Sequence, residues 1–282
     1  MVVRKILTLI KILIPSNYLR GVNMVGEELL RVVDVWKSYG TVVALRGVNM
    51  VVRRGEVVAL LGDNGAGKST LIKIISGYLR PDRGQIFFEG RPVRFKSPLD
   101  AKALGIEVVH QDLAVILDLP IYRNIFLTHE ITGRFGFLRD DIMREEAKKA
   151  LDAIGIPIDD VDIKAESLSG GLRQAIAVAR AAYFAKKLLL LDEPTANLNM
   201  VEAFEVINYV RKFVRERNAG AIFVTHNMVH AFEAADRIYF IDRGRILFEK
   251  RKDELSSPEE LEMMIEKIVM EREMREVSKE IT

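Results

Sequence analysis

Apolar residues in this chain follow two rhythms. Short aliphatic runs at 57–61, 106–109 and 188–191 have the length and composition of strands buried on both faces of a sheet. Between them the period becomes helical. Leu71, Ile72, Ile74 and Ile75 share one face after the first run, and 140–154 reads as a charged amphipathic helix ended by Gly155 and Pro157. Helices are also predicted over 172–184, 201–217 and 228–235, a strand over 221–225, and a hairpin over 237–249 turning at Arg243-Gly244. Near the start, strands at 29–35 and 48–53 flank a turn at Tyr39-Gly40. A further strand at 85–89 lies between Gly84 and Gly90, with 93–95 pairing beside it. Strand–helix alternation on both sides of a helical stretch predicts an α/β fold with an inserted helical subdomain at about 112–166.

The ends behave differently. Residues 6–14 are apolar except for Thr8 and Lys11, follow Arg4 and Lys5, and stop at Pro15. That run is shorter than the about 20 residues a membrane-crossing helix needs, and no small-residue cleavage site follows it. Residues 1–28 are therefore expected to be an extension outside the fold, with Met24 as the start or the first structured residue, and the main domain is placed at 29–250. The tail, 251–282, reads as helical: Ser257 caps, Pro258 takes the first helical position, and Met263, Met264, Ile268 and Val269 form a partial stripe. It is read as a packed or solvated helix or as a partner-binding one.

Composition narrows the chemistry. The 282 residues are 49% hydrophobic, enough for a full core. A net charge of +2 gives no global field favouring nucleic acid. With no cysteine, disulfide frameworks and thiolate metal sites are excluded.

Three stretches carry candidate chemistry. Gly62-Asp63-Asn64-Gly65-Ala66-Gly67-Lys68-Ser69 follows an apolar strand and opens a helix. Its glycines let backbone N–H groups turn inward onto phosphate oxygens, and the helix N-terminus adds partial positive charge. Lys68 is placed to reach the β- and γ-phosphates and Ser69 to ligate Mg²⁺, so the ligand is a nucleoside triphosphate. The apolar strand 188–191 ends in Asp192-Glu193, delivering carboxylates to the sheet edge where nucleotides bind. Asp192 suits Mg²⁺ and Glu193 suits a general base; taken alone, the pair is equally a capped strand end. Leu168-Ser169-Gly170-Gly171-Leu172-Arg173-Gln174 is a second glycine-rich helix start with Ser169 as cap. By itself it is either a further anion site or a flexible turn.

In this order the three stretches resemble the ATPase subunit of an ATP-binding cassette (ABC) transporter, over roughly residues 29–250. The resemblance implies a P-loop NTPase with a RecA-like core, an antiparallel β subdomain and an inserted α-helical subdomain. It implies ATP and Mg²⁺ as ligands and a head-to-tail dimer in which Ser169, Gly170 and Gly171 close over the partner's ATP. Other residues gain roles from it. Tyr39 matches an aromatic that stacks on adenine, and Thr70 a hydroxyl beside the α-phosphate. Gln111 matches a glutamine that senses Mg²⁺ and links to the membrane partner, and His226 a histidine on the γ-phosphate. His110, His129 and His230 are read as structural. Asn199 departs from the family, which commonly has aspartate there; this is read as tuning of the dimer interface.

The stretches 109–114 and 124–127, Phe137-Leu138 and Thr225-His226-Asn227-Met228 are similar to cassettes of simple-sugar importers for ribose, xylose and galactose. That similarity implies a transmembrane permease as partner, an extracytoplasmic solute-binding protein acting indirectly, a second ATPase subunit (the same chain or another), and a peripheral position on the cytoplasmic face of the membrane. Ile116, Leu117, Leu119, Ile121 and Phe126 are expected to divide between a permease-binding groove and subdomain core. The alternatives are a non-transport cassette ATPase and a cassette for another cargo.

Overall fold

The computed structural model describes residues 26–110, 114–156 and 158–280. The extension expected over 1–28 lies outside them up to residue 25, but Glu28 already begins a strand. In chain order the elements are β1 (Glu28–Tyr39), β2 (Val42–Arg53), β3 (Glu56–Leu61), α1 (Lys68–Ile75), β4 (Arg83–Phe88), β5 (Arg91–Val93), α2 (Pro98–Ala103) and β6 (Ile106–Val109). Then come α3 (Ile121–Ile125), α4 (Asp140–Ala153), α5 (Gly170–Phe184), β7 (Leu188–Asp192), α6 (Met200–Arg217), β8 (Gly220–Thr225), α7 (Met228–Ala234), β9 (Arg237–Asp242), β10 (Arg245–Arg251) and α8 (Pro258–Glu280).

Two sheets organise them. A six-stranded sheet has the order β10-β9-β3-β8-β7-β6, parallel except for the β9–β10 hairpin, and an antiparallel sheet has the order β2-β1-β4-β5. The expected continuous apolar runs follow from burial on both sides. In β3, Val58 and Leu60 face the layer shared with α1, β1 and β2, while Val57, Ala59 and Leu61 pack under helices on the opposite face. In β7, Leu188 and Leu190 divide from Leu189 and Leu191 in the same way. Burying such aliphatic side chains stabilises the fold by about 1.5–3 kcal/mol each.

The strands near the start are longer than the pattern suggested. β1 and β2 run nearly to the turn at Gly40, because register shifts let polar residues remain in the ladder. The pattern also missed α2, six residues capped by Ser97 with Asp100 closing the box, too short to display a helical period. The helical cluster extends past the expected boundary at 166. Leu168, Ala175, Ile176 and Ala179 pack with Ile121, Phe126, Met143 and Leu151, so α5 belongs to both the insert and the main sheet. Of the five residues divided between groove and core, Ile121 and Phe126 are core, whereas Ile116 and Leu117 are exposed.

The tail packs rather than projects. Leu261 and Ile265 are buried with Leu61, Ile238 and Phe240, and Met264 and Val269 join them. Met263, expected in the stripe, is exposed; the packed face begins at Leu261 and recurs at helical spacing. Farther along, Arg272 forms an ion pair with Asp242 at the end of β9. Among the described residues no helix is long and apolar enough to cross a membrane.

Candidate functional site

β3 ends at Leu61 and α1 begins at Lys68, so six residues form the connecting loop. Gly67 has φ 108° and Gly65 φ 83°, a region that L side chains adopt only with strain. Gly62 is required for another reason: a Cβ there would lie 2.2 Å from the Ile241 carbonyl oxygen. Lys68 is buried and donates to the carbonyls of Gly62 (2.6 Å) and Asp63 (3.0 Å). Burial holds its pKa below the usual lysine value, against the pull of Glu193, Asp192 and Asp63.

One cleft of about 430 Å³ is lined by Asp63, Asn64, Gly65, Gly67, Lys68, Ser69 and Thr70 on one side and by Asp192, Glu193 and His226 on the other. Gly62 and Ala66 complete the loop behind it. Strand order creates this meeting. β3 pairs with β8 and β8 with β7, so the ends of all three parallel strands open at the same edge. Asp192 is 4% exposed. Burial raises its carboxyl pKa, opposed by the Ser69 hydroxyl facing it. Its Oδ1 has no hydrogen-bond partner among the described residues.

Glu193 is in the left-handed region, at φ 54°, held by its N–H donating to Val224 O at 3.0 Å and by Gln174 Nε2, 3.4 Å from its carbonyl oxygen. Such strain in a non-glycine residue clusters at functional sites. Its Oε1 lies 3.0 Å from Nδ1 of His226, whose ring is more than half exposed at the cleft mouth. His230, read as structural, contacts Thr195 Oγ1 through Nδ1 at 3.0 Å, and burial keeps its pKa below the usual value, with the charges of Glu193 and His226 also acting on it. His110 packs edge-on to Tyr78, and His129 stacks on Phe184.

Of the other expected residues that the structure describes, Tyr39, Ser169, Gly170 and Gly171 do not line this cleft. Tyr39 stands half-exposed at the end of β1, paired in register with Val42 of β2. Ser169 caps α5, accepting from Leu172 N at 3.2 Å, and is exposed together with Gly170. Gly171 packs against the carbonyl of Asn197. Gln111 lies outside the described residues. Asn199 caps α6 in a reciprocal pair with Glu202, a position where asparagine and aspartate serve equally.

The profile describing the ABC transporter family matches residues 45–196, from β2 through the loop after Glu193. The chain belongs to the ABC transporter family. Among similar ABC proteins, the xylose/arabinose import ATP-binding protein XylG of Sulfolobus acidocaldarius is 56% identical over 84% of this chain and 94% of its own length. The fructose import ATP-binding protein FrcA of Rhizobium meliloti is 42% identical over 79% and 88%. For the ribose import ATP-binding protein RbsA of Clostridium tetani the figures are 36%, 86% and 48%, so this chain spans about half of that relative. The fold is similar to a nucleotide-free ATP-binding cassette from an ABC transporter, with TM-score 0.73, 26% identity, and coverage of 86% of this chain and 97% of that one. A second ABC cassette, in its ADP conformation, gives TM-score 0.69 at 28% identity over 84% and 98%. As a member of this ABC family the chain is an ATP-binding ATPase.

Proposed function

We propose that this chain is the ATP-hydrolysing subunit of an importer of simple sugars, bound peripherally to the cytoplasmic face of a membrane permease. The observation that carries the sugar assignment is the 56% identity to a xylose/arabinose import protein across nearly the whole of both chains. The convergence of Lys68, Asp192, Glu193 and His226 on one cleft supports the hydrolytic role.

In this reading the loop from Gly62 to Gly67 donates backbone N–H groups to the triphosphate, and Lys68 gives up its contacts with Gly62 and Asp63 carbonyls for the β- and γ-phosphates. Thr70 lies beside the α-phosphate and Tyr39 stacks on adenine. Ser69, Asp192 and Gln111 would hold Mg²⁺. The fit rests on the buried Asp192 Oδ1, an acceptor without a partner among the described residues, with the Ser69 hydroxyl opposite. When bound, Mg²⁺ supplies charge neutralisation for the phosphate oxygens. Glu193 accepts a proton from the attacking water as its oxygen bonds to the γ-phosphorus and the bond to the β-phosphate oxygen breaks. His226 steadies Glu193 and the γ-phosphate.

Ser169 and Gly170 are exposed away from their own chain's cleft, which supports their acting on the ATP of a second subunit, most simply another copy of this chain. Closure of that pair would drive the permease, and a solute-binding protein would deliver the sugar on the other side. Sugar uptake tests the assignment. Host cells lacking the gene should lose uptake of at least one of labelled xylose, arabinose, ribose or fructose, regained with the wild-type gene but not with Glu193→Gln. Unchanged uptake of all four would overturn the sugar reading.

A further inference from the structure

Away from the nucleotide cleft, a cavity of about 360 Å³ lies between the C-terminal end of α1 and the β4–β5 hairpin. Its floor is apolar, with Ile74, Ile86 and Phe95 among the lining, and its rim carries Arg80, Arg83 and Arg94. None of the three arginines has a carboxylate partner among the described residues. Elsewhere the chain pairs many of its arginines, as in Arg54–Glu89, Arg144–Asp162 and Arg237–Glu56. The one carboxylate in the lining, Asp82, is committed elsewhere: it accepts from Lys37 Nζ at 2.8 Å and from Ser38 N at 2.7 Å. Those bonds hold its pKa below the usual carboxylate range.

Three guanidinium groups on one concave surface repel one another, and a low-dielectric floor focuses their field toward the cavity. An anion relieves that repulsion, and arginine's planar fork of donors matches the oxygens of a phosphate. The space is more than a bare phosphate needs, and the floor offers no charge to solvate a polyanion throughout. We propose that this cavity is a second anion site, which binds the phosphate group of an organic phosphate through Arg80, Arg83 and Arg94. The organic portion lies over the apolar floor. A soluble phosphate ester and a phospholipid headgroup share this chemistry.

The chain's single tryptophan is a built-in reporter. Trp36 is the register partner of Arg83 across β1 and β4, and its carbonyl accepts from the N–H of Asp82. The test uses the full chain with Mg-ADP saturating the nucleotide cleft, and follows Trp36 fluorescence on titration with glucose 6-phosphate, with inorganic phosphate, and with vesicles of phosphatidylglycerol or of phosphatidylcholine. A saturable change is expected with glucose 6-phosphate or with phosphatidylglycerol vesicles, and not with phosphatidylcholine; whichever of the two acts identifies the source. Arg83→Ala and Arg94→Ala should each weaken it roughly tenfold while basal ATP hydrolysis stays unchanged. Lys68→Ala should leave the change in place, which separates this cavity from the nucleotide cleft. The proposal is overturned if none of the probes perturbs Trp36, if the arginine variants bind as the wild type does, or if Lys68→Ala abolishes the response.

Discussion

Nδ1 of His226 lies 3.0 Å from Oε1 of Glu193, joining two residues 33 positions apart at the ends of adjacent parallel strands. The contact orients a carboxylate that is itself almost wholly buried beside an exposed imidazole. Replacing Glu193 with glutamine keeps the shape and removes the proton acceptor. Hydrolysis should fall by at least ~100-fold, with nucleotide affinity within about twofold of wild type. Phosphate release and equilibrium nucleotide binding, measured side by side, check this; equal losses in both would mean that Glu193 serves binding instead.

Asp192 is costly to the fold without a cation. Its carboxyl pKa is raised by burial, so the unfolded chain ionises more readily than the folded one. Stability therefore declines as pH rises from the ordinary 3.8 through the folded value, and the full penalty is present above it. Asp192→Asn should raise the melting temperature of the nucleotide-free protein at neutral pH by about 2–4 °C and abolish Mg²⁺-dependent hydrolysis. The gain should shrink as the pH approaches 3.8. A thermal melt series across pH reads both; a lowered melting temperature at pH 7 would contradict the argument.

Ser169 offers a test of the shared site. Because it is exposed and absent from its own chain's cleft, Ser169→Arg should leave ATP affinity of the dilute monomer unchanged. Turnover at concentrations where subunits pair should be lost. Weakened binding in the monomer would instead mean that Ser169 acts within its own subunit.

A structural ion pair is expected to matter more than any on the surface. Arg237 is 4% exposed and bonds to both oxygens of Glu56 and to Glu249. Arg237→Met leaves Glu56 partly buried and uncompensated, and should cost about 3 kcal/mol, read from urea denaturation. Arg144→Ala, which breaks an exposed pair with Asp162, should leave the urea midpoint nearly unchanged, because water and salt screen that pair.

Much of the architecture could be read along the chain. The bounds of β6 agree with the apolar run at 106–109, and those of α4, α6, β8 and the β9–β10 hairpin lie within two residues of the pattern. Long, strongly periodic segments are legible because burial imposes the period directly. α2 was not, since six residues cannot show one. The face of α8 was misjudged at Met263 because a helix of alternating charges and methionines admits more than one stripe until its neighbours are known. The partner of His230, Thr195, could not be read along the chain, because it belongs to a loop 35 residues away.

The amino-acid order by itself determined the phosphate loop, the acidic end of β7 and the capped start of α5. Each depends on glycine torsions, a capping hydroxyl or an apolar run, and such preferences act between residues a few positions apart. Only the tertiary structure decided that β3, β7 and β8 are neighbours, that Glu193 meets His226, and that Ser169 faces away from the cleft on its own chain. It alone gathered Arg80, Arg83 and Arg94 around one cavity. Strand order and side-chain convergence are set by how whole layers bury their surfaces together, and no local pattern encodes which distant segment will supply the other wall.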